Sequence, residues 1–290
     1  MAEQEKNRTE EATLYLVATP IGNLADISDR AKKVLSEVDF IAAEDTRNTA
    51  KLLACLGIEG ELVSYHEHNK KQSGARILAR LLNGESCALV TDAGMPAISD
   101  PGEDMVRLAA DAGVPVRIVP GACAAVSALA LSALSTRRFC FEGFLSPIRG
   151  ERKKRLDALK KEERTMILYE APHKLKTTLA DLLESFGGER KISLCRELTK
   201  RNEEVMRTTV GEAVAFYEQN EPRGEYVLIL EGAAEAGVCL TEENPLCALP
   251  PQDHVAAYEE QGLSRMDAIK AAAKDRGMAK SDLYALLNRK

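Results

Sequence analysis

Four short groups of residues in this chain carry side chains or backbone able to do chemistry. Glu44, Asp45, Thr46 and Arg47 place two carboxylates, a hydroxyl and a guanidinium together. Such a set could take a proton from a weakly acidic hydroxyl and hold an anion beside it. The run TDAGMPAISDPG, from Asp92 through Gly102, holds two glycines and two prolines, so its backbone is fixed and its amides and carbonyls are open to a ligand. Pro20, Ile21, Gly22 and Asn23 form a third group, and Pro120 through Ala124 a fourth. None is a phosphate cradle: no Lys-Ser/Thr follows the glycines, and no GxGxxG follows the first apolar run. The expected ligand is therefore an uncharged or zwitterionic nucleoside gripped by main-chain hydrogen bonds, although a Gly/Pro loop taken alone is also an ordinary turn.

Other candidates leave two readings open. His66 and His68 in SYHEHNKK are half a metal site or a polar loop, and with no accompanying ligand pattern no metal is expected. His173 lines a substrate or caps a helix, and Glu170 and Glu197 orient a substrate or serve the structure. Cys123 has no histidine near it in sequence, which argues against a nucleophile. Asp45 and Arg47 could equally pair with each other or cap the next helix.

The elements that must position these groups alternate. TLYLVAT is an apolar, β-branched run that stops at Pro20 and Gly22, hence a buried strand ending in a turn. Asp29 to Glu37 has helical spacing, DFIAAE is a second strand, and Ala75 to Leu82 an amphipathic helix. Cys87 to Thr91 is a strand, Glu103 to Ala112 a helix, and Val114 to Val119 a strand closing at Pro120. This order predicts an α/β fold with a mostly parallel sheet, whose ligands sit at the strands' carboxyl ends. The small residues of ACAAVSALALSAL suit a helix packed close to a sheet or ligand. A second series follows: strands at Met166 to Tyr169, Lys191 to Cys195 and Tyr226 to Glu231, with helices at Leu175 to Glu184 and Gly211 to Gln219. The expected organisation is a disordered leader over 1–12, α/β lobes over 13–134 and 135–232, and a linker with two short helical patterns over 233–290.

Composition narrows the class. With 45% hydrophobic and 29% charged residues the chain is an ordinary globular protein long enough for two lobes and a cleft. No run approaches the roughly 20 apolar residues of a membrane span, and the first residues are polar and acidic, unlike a signal peptide. Seven cysteines, far apart and without a CxxC pair, suit free thiols in a reducing compartment, so a cytoplasmic location is expected. A net charge of −6 argues against a generic nucleic-acid binder, so any RNA contact must be local. Arg149 to Lys161 and Lys70 to Arg76 are the basic stretches that could supply one, or they are solvated helix faces.

ATPIGNLADIS, AAEDTRNTAKLL, VTDAGMPAISDPG, VPGACAAVSAL, EGFL, LYEAPHKL, CRELTK and RGEYVLILEG occur in this order. Together they resemble the tetrapyrrole-methylase superfamily, and within it the ribosomal RNA small-subunit methyltransferase I branch, which methylates a cytidine ribose 2′-oxygen. The resemblance covers about 14–232, and the C-terminal helices also fit that branch. It implies S-adenosylmethionine in a cleft between two α/β lobes, a homodimer, and the small ribosomal subunit or its rRNA as partner. Carried over by position, it assigns the cofactor to Ile21, Gly94, Met95, Pro96, Ile98, Ala122, Cys123, Ala171 and Gly224. Cys123 departs from the hydroxyl residue common in the family, and a thiol is the weaker hydrogen-bond partner. Catalysis is expected at Asp45 as base or hydroxyl-orienting group, with Glu44 beside it and Arg47 holding a phosphate. The alternatives are methylation of a tetrapyrrole or other small molecule, against which TPIGN and AEDTR speak, and a non-catalytic ribosome assembly factor.

Overall fold

The computed structural model describes residues 9–10, 12–233, 246, 249–276, 278 and 280–287. Most of the predicted leader and most of the linker ahead of residue 249 lie outside them. The chain divides into two compact units, the first ending at Glu231 and the second starting at Gly232.

The first unit holds two five-stranded sheets. The first sheet contains β1 (Leu14–Val17), β2 (Phe40–Ala43), β3 (Leu62–Ser64), β4 (Cys87–Val90) and β5 (Val116–Val119), in the order β3-β2-β4-β1-β5. All its pairings are parallel. Strands buried on both faces need apolar residues throughout, and β2 and β4 are buried at every position. The covering helices are α1 (Asp29–Glu37), α2 (Thr46–Leu56), α3 (Lys70–Leu82) and α4 (Glu103–Asp111). Each parallel strand thus ends on the same side of the sheet, where a loop must turn into the next helix.

Helix α5 (Ala124–Leu131) joins the sheets. Its Ala125, Ala128 and Leu129 pack with Ile167, Val227 and Ile229 of the second sheet, a close approach that its small residues permit. That sheet is built from β6 (Phe139–Phe144), β7 (Thr165–Glu170), β8 (Lys191–Arg196), β9 (Glu204–Thr209) and β10 (Tyr226–Leu230), in the order β6-β7-β10-β8-β9. The expected parallel pairing holds in the first sheet, whereas this one is mixed: only β6 and β7 run parallel, and β10 lies antiparallel between β7 and β8. The β8–β9 pair is antiparallel as well, as the short connection between the two strands requires. Helices α6 (Arg149–Leu159), α7 (Pro172–Phe186) and α8 (Val210–Gln219) accompany this sheet; α7 and α8 cover its outer core. Among these elements β3, β6 and β9 are absent from the sequence reading, and α2 and α6 enter it only as the next helix that Asp45 could cap and as a solvated helix face.

Among the described residues the second unit contains three helices where two were expected: α9 (Pro251–Glu260), α10 (Arg265–Asp275) and α11 (Lys280–Leu287). Val255, Ala268, Ile269, Ala272 and Leu283 form its core. His254 is fully buried there between Asp275, 3.3 Å from Nε2, and Arg276, whose Nε donates to Nδ1 at 3.0 Å.

Candidate active-site cleft

A cleft of about 360 Å³ opens between the two sheets of the first unit. The first sheet contributes only residues that follow strand ends: Ile21 after β1, Ala93, Gly94, Met95, Ile98 and Asp100 after β4, and Cys123 and Ala124 after β5. The loop after β4 is held in an unusual backbone shape. Gly94 has φ +85°, and Ala97 and Ser99 adopt φ of +67° and +68° without being glycine. Non-glycine residues in that region are strained and persist only where their surroundings enforce it. The enforcement is visible: Gly94 N–H donates to the Thr19 carbonyl at 3.1 Å, and Thr19 N–H donates to the Gly94 carbonyl at 2.9 Å, which ties the loop to the end of β1. Gly121 supplies a second close approach, since a Cβ there would lie 2.9 Å from that of Ala18.

The second sheet contributes residues from its strands, from the start of α7 and from the turn after β8. Phe144, Tyr169, Ala171 and Pro172 line one part, and Leu198, Lys200, Tyr226 and Val227 another. Lys200 Nζ is fixed by Glu197 at 2.9 Å and Glu225 at 2.8 Å. Glu197 has φ +51° and Thr199 +64°, so this turn is strained as well. Gly224 is required there: it has φ +75°, and any Cβ would run into the Glu197 carboxylate.

The expected cofactor residues divide accordingly. Ile21, Gly94, Met95, Ile98, Cys123 and Ala171 line the cleft. Pro96, Ala122 and Gly224 stand outside that wall, each next in sequence to a residue within it. Cys123 is the N-cap of α5 and makes no side-chain capping bond.

Electrostatics separates the carboxylates. Asp100, in the wall, is pushed up to about 6 by burial first and by the charges of Glu44 and Asp92 next. Glu44 is also raised, through burial and then the neighbouring Asp92 and Asp45 charges, with His66 acting in the opposite sense. Asp45 goes the other way. Its Oδ1 accepts the Arg47 backbone N–H at 2.8 Å as the N-cap of α2, and the Arg47 guanidinium donates to Oδ1 at 3.0 Å and Oδ2 at 2.6 Å. Those bonds hold its carboxyl well below the usual carboxylate range. The pairing-and-capping alternative for Asp45 and Arg47 is thus the observed arrangement. Asp100 was missed as an individual site residue; its position inside the strained loop was the signal that could have found it.

Among the remaining candidates, Glu170 lines the cleft. Glu170 is buried and accepts from the Ala171 N–H at 2.9 Å and the Thr178 hydroxyl at 2.5 Å. His66 and His68 stack edge to face with centroids 6.0 Å apart, and no group of three metal-ligating side chains occurs among the described residues. In the basic stretch, Arg152 pairs with Asp181, Lys153 with Glu184, Arg155 with Glu142 and Lys160 with Asp157. Arg149 and Lys154 are exposed. No helix among the described residues is long and apolar enough to cross a membrane.

Comparison with known proteins places this geometry. The family model described as Tetrapyrrole (Corrin/Porphyrin) Methylases matches residues 13–214. The chain is 48% identical over 279 residues to the ribosomal RNA small subunit methyltransferase I of Halalkalibacterium halodurans, covering 96% of each chain. It is 47% identical to the protein of the same name from Bacillus subtilis, covering 93% of this chain and 92% of that one. Among solved structures, uroporphyrin-III C-methyltransferase from Thermus thermophilus complexed with S-adenosyl homocysteine superposes with a TM-score of 0.54. That match is 20% identical and covers 76% of this chain and 97% of the other.

Proposed function

The chain belongs to the tetrapyrrole (corrin/porphyrin) methylases, and from that premise we propose that it uses S-adenosylmethionine to methylate a cytidine ribose 2′-oxygen in small-subunit ribosomal RNA. The observation that carries the substrate half is near-full-length similarity at 48% identity to a methyltransferase named for that RNA. The cofactor half rests also on the fit of the cleft. A wall of loop residues on one side and mostly apolar residues on the other suits an adenosine, and the volume lies in the range of small-molecule sites. Asp100 in the wall, with Glu44 and Asp92 near enough to raise it, gives the cleft an acidic end that favours a cationic ligand. Ile21, Gly94, Met95, Ile98, Cys123 and Ala171 would hold the cofactor, and Pro96, Ala122 and Gly224 would shape the backbone beside it.

When bound, S-adenosylmethionine supplies an electrophilic methyl group on a sulfonium that is already a good leaving group. The chain's own work is alignment and removal of one proton from the attacking hydroxyl. Asp100 acts as counter-charge in the wall. Glu44, whose carboxyl is raised by burial above the usual carboxylate value, takes the proton. Asp45 is a poorer acceptor because Arg47 stabilises its ionised form; the pair instead sets the rim, with Asp45 orienting the hydroxyl and Arg47 meeting a phosphate.

The reading includes a homodimer acting in the cytoplasm. Ile118, Val126, Leu131 and Phe139 are large apolar residues left exposed in the first unit, the kind of surface a second copy covers. Cys55, Cys87, Cys123, Cys140 and Cys195 are free thiols, which suits a reducing compartment. Purified protein incubated with labelled S-adenosylmethionine and small subunits lacking the modification, or a porphyrin precursor, tests the substrate. Label is expected in rRNA; label in porphyrin alone selects the small-molecule reading, and label in neither despite cofactor binding selects an assembly factor.

A further inference from the structure

Strand β6 begins in regular parallel pairing with β7. Phe141 lies opposite Ile167, and both belong to the core shared with α5. The register then slips by one: Gly143 lies opposite Leu168 and Phe144 opposite Tyr169, leaving Glu142 as an extra residue. Side chains alternate faces along a strand, so an unbroken β6 would put Gly143 opposite Tyr169 and Phe144 opposite Glu170, on the outer face. The bulge returns Phe144 to the cleft face. Tyr169 records the result, meeting Phe141 and Phe144 edge to face at centroid distances of 5.1 and 5.5 Å.

The bulge is fixed from three sides. Gly143 has φ +62°, which side chains disfavour. The extra Glu142 carboxylate accepts from Arg155 Nε of α6 at 2.7 Å. On the cofactor side, a Cβ at Gly143 would lie 3.2 Å from Ser99 Oγ, so the bulge abuts the strained loop. A bulge gives up ladder hydrogen bonding and is favoured beside functional sites, where it re-aims a side chain. What it aims here is not buried: Phe144 lines the cleft yet stays 58% exposed. Its ring is braced by Tyr169, and much of its surface is open. Just beyond, at the start of α6, Arg149 and Lys154 are exposed to meet phosphates.

We propose that Phe144 is the stacking platform for the base of the target nucleotide, holding it so that its ribose enters the cleft. The proposal rests on the rRNA reading above. An enclosed cleft admits a nucleotide only after it leaves its stack, and an unstacked base is received on an aromatic face because every base has a π surface. The bulge supplies such a face next to the cofactor loop, where no second base is present to supply it.

Phe144→Ala, Phe144→Leu and Phe144→Trp test it, with labelled methyl transfer to unmodified small subunits, calorimetry for S-adenosylmethionine and sedimentation for oligomeric state. Expected for Ala and Leu is a fall in kcat/KM for subunits of about 10- to 100-fold, the size of one lost base stack. Trp should retain activity within about threefold, because it keeps the π face. The cofactor Kd and the sedimentation of all three should match the unaltered protein. Wild-type rates in Phe144→Ala overturn the proposal. So does Leu performing as well as Trp, which reduces the ring to bulk, or a cofactor Kd rising in step with the lost activity, which makes the ring part of the cofactor wall. Dissociation into protomers makes it an interface residue and overturns it too. If the unaltered protein transfers no label to subunits while binding cofactor, the rRNA reading falls, and the platform with it.

Discussion

Where the first sheet meets the cleft it does so only through loops, with left-handed backbone at Gly94, Ala97 and Ser99 and a carboxylate at Asp100, whereas the second sheet meets it largely through strand and helix residues, mostly apolar, with the turn after β8 adding Leu198 and Lys200. The difference follows from topology. Five parallel strands send every carboxyl end to one side, and the connections there are free to take irregular shapes that offer amides, carbonyls and charge. A mixed sheet alternates strand ends, so fewer loops converge and the strands' own side chains make the wall. One side therefore governs charge and main-chain recognition, the other shape. Substitutions on the loop side should act on cofactor affinity and proton transfer, and those on the second sheet on substrate fit.

The largest effect should come from closing the main-chain grip itself. In Gly94→Val a Cβ would stand 3.1 Å from Ile21 Cγ2, and a β-branched residue opposes φ of +85°. Calorimetry should show S-adenosylmethionine binding weakened at least about 100-fold, an effect of the size expected from forced strain plus occlusion. A normal dissociation constant would mean that backbone near Gly94 does not hold the cofactor, and the contrast between the two walls would lose its basis.

Next in size is the split between adjacent carboxylates at the end of β2. Glu44→Gln should cut kcat about 100-fold, the usual contribution of a positioned base, with cofactor affinity unchanged. Asp45→Ala should cost about tenfold, also without loss of cofactor affinity, because its carboxylate is already committed to Arg47. The reverse order in single-turnover rates would transfer the base to Asp45.

Much of the loop side was legible in the sequence because glycine and proline constrain backbone wherever they occur, and TDAGMPAISDPG and VPGAC state their geometry locally. The strands around them were legible as apolar runs. What escaped was whatever depends on neighbours distant in sequence. β9 reads EVMRTT, a polar edge strand with no buried position and hence no apolar run to mark it. Helix α2 was legible only through the residue that caps it, without its bounds. The slip at Glu142 adds one residue to an already short strand and leaves no periodic trace, yet it decides which face Phe144 occupies. The contrast between Asp45 and Asp100 was half visible: both are aspartates after strands, and Arg47 stands two residues from the first, but only the fold gives the second its burial near Glu44.

That last contrast predicts a pH dependence. The Asp100 carboxyl is raised to about 6, and only its ionised form offers a counter-charge to a cation. As pH falls through 6 the carboxyl takes up a proton, so S-adenosylmethionine affinity should drop, approaching about tenfold per pH unit well below that value. Above it, affinity should level off. Asp100→Asn should bind weakly at every pH and flatten the profile; a variant that keeps the slope would assign the titration to another group, with Glu44 the next to examine.

The smallest expected effect is at Cys123, where the loop side hands over to α5. The residue occupies an N-cap without a side-chain capping bond, and a thiol is a weak acceptor for the helix's free N–H groups. Cys123→Ser puts a good capping oxygen in that position with little change in size, and should raise stability by up to about 1 kcal/mol in denaturant unfolding. If the cofactor is held here by backbone, its Kd should move by less than about threefold. A gain of ten-fold or more, read by calorimetry, would show that a hydroxyl at this position contacts the ligand directly. In that event the loop wall would recognise its ligand through side chains as well, and the division of labour between the two sheets would be less sharp than their topologies suggest.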